Sequence, residues 1–141
     1  MSSHVMKVVT KEITVQSKRR REVINITNHI EDFVRDSGIR NGIVLVFLPH
    51  ATSALFANED EPRVRKDYEN LFERLVPANG NYFHNEIDNN ADAHLLTSIF
   101  KQFYVLPIMS GELVRGTWQE VFLAEFDGPR SRRVVLVTIG E

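Results

Sequence analysis

The chain has 141 residues, 43% of them hydrophobic, no cysteine, and a formal net charge of −2. That length suits one domain with its own core, and the absence of cysteine removes disulfides, thiolate metal sites and cysteine nucleophiles together. The mild negative balance gives no footprint for nucleic acid or an anionic membrane; no apolar run approaches the ~20 residues of a membrane span and no signal peptide is visible, so a cytoplasmic protein is the default expectation.

The opening MSSHV reads as an appended or alternative start ahead of Met6; residues 1–6 are expected to be poorly ordered, and His4 carries no weight. Residues 5–15 are rich in β-branched side chains and predict a strand. The run Lys18-Arg19-Arg20-Arg21 separates it from a second strand at 22–27, so the pair predicts a hairpin with a charged, solvated tip. Phosphate or nucleic-acid contact is the alternative for this run, but no aromatic residue interleaves with it to stack on bases. Next, Ile30, Phe33 and Val34 sit at helical spacing, with Asn28 as N-cap and Gly38 as the stop. IVLVFL (43–48) predicts a buried strand ending at Pro49-His50, and 53–58 continues as strand after a kink.

A second helix is signalled by Glu59, Asp60 and Glu61 ahead of Pro62, followed by the stripe Val64, Tyr68, Leu71, Phe72 and Leu75 and a stop at Pro77. A third is predicted from Asp88 or Asn89, carrying Ala91, Leu95, Leu96 and Ile99. Strands near 103–109, 113–126 and 132–139 close the chain, with turns at 110–112 and 127–130. Strands at both ends and about three helices between them, without regular βαβ alternation, predict a single-domain α+β fold of mainly antiparallel sheets.

Candidate chemistry gathers at three places. YFHNEIDNNADAHLL (82–96) holds His84 before the third helix and His94 inside it, among several acids and asparagines. Ten positions apart is not the spacing by which one helix grips zinc, and a satisfied core histidine is the plain alternative for His94. His50 ends a buried strand and is followed by Thr52 and Ser53, hydroxyls able to hold an imidazole or an anion. Three histidines on three elements match a facial three-nitrogen metal site with an open position; three unrelated histidines are the alternative. Lastly, period two along GTWQEVFLAEF (116–126) puts Glu120 and Glu125 on strand faces that mix apolar and polar residues. A covered carboxylate there needs a partner, either a cation site or an ion pair, and Arg130 stands nearby as a partner for Glu125 or Asp127.

The ordered motifs HATS (50–53), NE (58–59), YFH (82–84), DNNADAH (88–94), GTWQ (116–119) and DGPR (127–130) resemble those of the YjbQ family, over nearly the whole chain from about Lys7. Arg115 and Ile87 depart from the family's usual residues beside these motifs. The resemblance implies packed antiparallel sheets in a sandwich-like arrangement, a homotrimer, and a subunit-edge pocket lined by His50, His84 and His94 in which a divalent metal is held, zinc rather than magnesium. It also implies a secondary thiamine-phosphate synthase-like transferase, joining hydroxymethylpyrimidine diphosphate to a thiazole phosphate with release of pyrophosphate. On that expectation His50, His84, His94, Glu59 and Glu125 are the catalytic candidates, with Glu59 or Glu125 orienting a histidine. Thr52, Ser53, Asn58, Asp88, Asn89, Thr117, Trp118, Gln119 and Arg130 meet a phosphorylated or otherwise anionic metabolite, with Trp118 either stacking on a ring or lying in the core. A metal-dependent hydrolase of a small phosphorylated metabolite, and a non-catalytic trimeric binding protein for an anionic one, stand as alternatives.

Overall fold

A computed structural model describes residues 5–141, and His4 lies outside the described residues. In chain order the elements are β1 (Lys7–Gln16), β2 (Glu22–Asn25), α1 (Thr27–Ser37), β3 (Gly42–Phe47), β4 (Ser53–Asn58), α2 (Pro62–Leu75), α3 (Ala91–Ile99), β5 (Phe103–Met109), β6 (Glu112–Leu113), β7 (Glu120–Glu125) and β8 (Ser131–Gly140). A single 3-10 turn, Phe83–Glu86, precedes α3. The strands make two antiparallel sheets, β1-β8-β3-β5-β6 and β2-β7-β4. The α+β expectation with antiparallel sheets and three α-helices holds.

Period-two patterning explains the layers. Val44, Val46, Leu106, Ile108, Val134 and Leu136 point from the large sheet into one core, where they meet Leu55, Val121 and Leu123 of the small sheet and Ile30, Phe33 and Val34 of α1. The opposite face of the small sheet carries Ala54, Phe122 and Ala124 against Tyr68 and Phe72 of α2 and Ala93 and Leu96 of α3. The small sheet is thus covered on both faces, which is why β7 reads as an almost unbroken buried run. Among the described residues, none gives the outer face of the large sheet such cover. Ile43, Phe47, Phe103, Val105 and Ile139 are exposed there.

Local signals set most boundaries. Pro62 opens α2, and the Glu61 carboxylate accepts from the Arg63 and Val64 amides. Gly38 ends α1 in the left-handed region, at φ 73°.

Five expectations are corrected. β1 and β2 do not form a hairpin, because β1 pairs with β8 and β2 with β7 in the other sheet. The arginine run between them is not a solvated tip: Arg19 pairs with Glu69, Arg20 with Asp92, and Arg21 with Glu73 and Asp92. α1 begins at Thr27, whose amide is taken by Asn25 Oδ1, so Asn28 is not its cap. The predicted 113–126 strand is broken by a turn over 116–119, where the Gln119 amide donates to Gly116 O and Gln119 Oε1 accepts from the Gly116 amide. α3 also starts later than expected, at Ala91, whose amide donates to Asn85 Oδ1.

Candidate functional site

The 3-10 turn carries His84 and the first half of α3 carries His94. Their rings meet edge to face, with centroids 5.0 Å apart and planes at 82°. Both line a pocket of about 580 Å³ together with Asn81, Tyr82, Phe83, Ala91 and Leu95. The pocket is mostly apolar, with two imidazoles as its polar groups of consequence. That is the composition of a site that orients a small ligand through few polar contacts.

A buried polar chain stands behind the pair. His84 Nε2 lies 3.0 Å from Asn90 Oδ1. Asn90 Nδ2 donates to Asp127 Oδ2 at 3.0 Å, and Arg130 donates to the same oxygen at 3.0 Å. Asp92, in the first turn of α3, is sealed from solvent and gripped by Arg20 on one oxygen (2.9 Å) and Arg21 on the other (3.0 Å). The arginine run therefore fastens the start of α3 to the rest of the fold, and His94 rides on that helix.

His50 is elsewhere. Its Nε2 accepts the Arg133 amide at 2.9 Å, and it does not line the pocket. Burial pushes its pKa below the ordinary value, and the neighbouring Arg132 guanidinium pushes the same way. The ring is neutral, and with Nε2 accepting, its proton sits on Nδ1. Among the described residues no group of three His, Asp or Glu stands close enough to hold a metal. One chain brings two of the three candidate imidazoles together.

The other candidates fall into separate groups. Thr52 and Glu125 belong to a buried ion-pair cluster: Arg132 donates to Glu125, to Thr52 O and to Thr52 Oγ1, while Glu125 also accepts from Ser17 Oγ at 2.6 Å and the Asp127 amide at 3.0 Å. Ser53 is buried beside them with its Oγ unpartnered. Asn58, Thr117, Trp118 and Gln119 line a second, open pocket of about 440 Å³ with Ala57 and Gly116. Trp118 is 73% exposed, so it is a surface ring and not a core one. Glu59 is exposed, and its carbonyl takes the Tyr68 hydroxyl at 2.8 Å. Asp88 and Asn89 lie on the exposed link into α3, where Arg20 donates to Asn89 O at 3.0 Å. Arg130 pairs with Asp127, not Glu125.

Sequence reasoning gave no individual role to Asn90, Asp92 or Arg132; it named Asp127 only as a partner for Arg130, and Arg20 only within the basic run. A signal existed for Arg132: it shares its strand face with Val134 and Leu136, and a cation in a core-facing register demands a buried anion.

These features define a small α+β protein of two antiparallel sheets with a histidine-edged pocket beside its third helix. The chain belongs to the YjbQ family: residues 11–141 match the family described as UPF0047 protein YjbQ-like. It is 44% identical to a UPF0047 protein of Methanothermobacter thermautotrophicus, over 96% of this chain and 95% of that one. It is 31% identical to the UPF0047 protein YugU of Bacillus subtilis, over 92% and 98%. A YbjQ-like protein of unknown function from Sulfolobus solfataricus superposes with a TM-score of 0.95 at 40% identity, covering 97% of this chain and all of that one. The expected thiamine-phosphate synthase-like reaction is corrected by these matches. Neither the family description nor the names of these relatives give such an activity, and the Sulfolobus protein is described as of unknown function.

Proposed function

We propose that the protein works as a homotrimer that binds a small phosphorylated or otherwise anionic metabolite in the pocket edged by His84 and His94. The observation that carries this reading is the perpendicular imidazole pair set at an otherwise apolar pocket. Two imidazoles so placed suit a cation or an acidic ligand.

A divalent cation, zinc rather than magnesium, fits the donor type: imidazole nitrogen suits zinc, whereas magnesium prefers carboxylate and water oxygen. His84 and His94 would hold it, and the remaining positions would fall to the ligand or to a neighbouring subunit. Such a cation supplies Lewis-acid stabilisation of phosphate oxygens.

The neighbour is supported by the uncovered sheet face. The backbone amide that His50 accepts belongs to Arg133, whose side chain stands on that face's register with Val135, Val137 and Ile139. A second copy packed there would meet His50 and its Nδ1–H, a donor suited to an anion. In a cyclic trimer each face meets a different patch of the next subunit.

Elemental analysis of untagged protein tests the cation: about one zinc per chain is expected, and His84→Ala and His94→Ala should each lose it while staying folded. Protein that neither carries nor takes up zinc would remove the cation from the reading. Titration with inorganic phosphate, followed by calorimetry with and without zinc, tests the anion.

A further inference from the structure

We infer that Asn90 is a positioning residue that fixes His84 in one tautomer, with the proton on Nε2 and the lone pair on Nδ1. The inference deepens the reading of the His84–His94 pocket as a ligand site.

The geometry runs from the buried end outward. Asp127 is 8% exposed and bound by Arg130 at 3.0 Å, so it is a carboxylate that only accepts. It lies 3.0 Å from Asn90 Nδ2. An amide turned the other way would set its carbonyl oxygen against that carboxylate, two acceptors at hydrogen-bond distance in a buried place. Asn90 is itself buried and has no water-side freedom to escape the choice. Its Oδ1 is thereby committed to His84, 3.0 Å from Nε2. An acceptor at that distance requires a donor, so Nε2 carries the hydrogen. A neutral imidazole has one hydrogen to place, and Nδ1 is left as the only basic atom of the ring.

This orders the chemistry of the pocket. The amide relay gives His84 a lone pair at a single atom, fit for a cation or for an acidic proton of a ligand. The hydrogen bond from Nε2–H also holds the ring in one orientation, as a carbonyl or carboxylate behind a ligating histidine does. Asn90 does this without touching the ligand. It sits one residue before α3, the helix that carries His94, so one side chain sets the ring of the first histidine and stands at the root of the second.

Long-range proton–nitrogen spectra of histidine-labelled protein at a pH where the rings are neutral read the tautomer directly. Wild-type His84 should show Nε2–H. In Asn90→Leu, of nearly the same volume and without the acceptor, the ring should pass to a mixture of tautomers. Asp127→Asn should have a related effect two hydrogen bonds away, because the Asn90 amide is then free to turn. Circular dichroism confirms that each variant is folded, and Asn90→Ser serves if Asn90→Leu is not. Zinc titration should show affinity lower by about 10–100-fold in Asn90→Leu. A wild-type ring in the Nδ1–H form, or a variant spectrum unchanged from wild type, overturns the inference. Normal tautomer behaviour with no zinc affinity in any form leaves the positioning role in place and counts only against the cation.

Discussion

Arg132 and Glu125 form a two-pronged ion pair sealed from solvent: Arg132 Nε donates to Glu125 Oε1 at 2.9 Å, and its Nη2 to Oε2, with side chains 4% and 0% exposed. Ser17 Oγ and the Asp127 amide complete the carboxylate's bonds, and Thr52 completes the guanidinium's. Glu125 thus holds β7, β8 and the segment after β1 together. Removing one partner strands a buried charge, so Glu125→Leu should cost about 3–5 kcal/mol. Removing both with apolar residues should cost far less, and Glu125→Leu/Arg132→Met should recover most of the loss. Urea denaturation of the two variants decides it. A Glu125→Leu protein as stable as wild type would mean that the pair is not the anchor its burial indicates.

Asp92 poses the same question at the pocket. It is fully buried, and it is answered by Arg20 and Arg21 from the run before β2. Asp92→Asn keeps the shape and removes the charge. It should cost about 1.5–3 kcal/mol, the range for hydrogen bonds to charged groups. The loss should localise: hydrogen exchange at the start of α3 should quicken more than exchange in β8. Uniform quickening would show that the arginines hold the whole fold and not the helix.

The two halves of this arrangement were unequally legible in the chain. The apolar run of β3, the turns bounding β5 and β8, and the Glu61-Pro62 signal placed these strands and α2 almost residue by residue, because local backbone preference and burial agree there. The pairing of β1 with β8 was not legible. Neighbouring strands joined by a short link usually form a hairpin, and the Arg–Asp92 and Arg–Glu pairs that turn the chain toward the other sheet join residues some 50 to 72 positions apart. The turn over 116–119 hid inside an alternating pattern that suits a strand equally well. His84 and His94 were singled out for their residue type. Asn90, which touches one of them, was not, because nothing local distinguishes it from Asn89.

His50 gives the chain a specific response to acid. Burial and the Arg132 guanidinium lower its pKa from the ordinary 6.5; the backbone bond from Arg133 and the Glu125 carboxylate oppose this, and the Arg133 charge adds to it least. A depressed histidine binds fewer protons folded than unfolded in the interval between the two pKa values, so stability rises with pH there. Its contribution is complete above about 6.5 and is lost as pH falls below that value toward the folded pKa. Protonation also removes the Nε2 lone pair that accepts the Arg133 amide. His50→Gln offers Oε1 in the same place without titrating. Its melting temperature should fall less than that of wild type between pH 7 and pH 5, and parallel curves would exclude His50 as the source.

The uncovered face of the large sheet leads to the last expectation. Paired strands place Val8, Ile139, Ile43 and Pro107 in one cross-strand row, Thr10, Val137, Leu45 and Val105 in the next, and Glu12, Val135, Phe47 and Phe103 in a third. Apolar residues crowd the strands β8, β3 and β5, while Thr10 and Glu12 mark the polar margin on β1. An apolar area of this extent bordered by polar residues is the usual surface for another protein, and a second copy is the partner always present. Light scattering on wild-type protein should therefore report about three times the 16.2 kDa chain. Val105→Glu places a charge in the middle row, where no basic side chain of that row answers it. The variant should sediment as a monomer at micromolar concentration. Trp118→Ala, on the exposed 116–119 turn, is the matched control for loss of a large surface side chain, and its mass should stay that of wild type. A monomeric wild type, or a Val105→Glu protein that remains assembled, would show that subunits do not meet on this face, and His50 would then have no route to a neighbour's pocket.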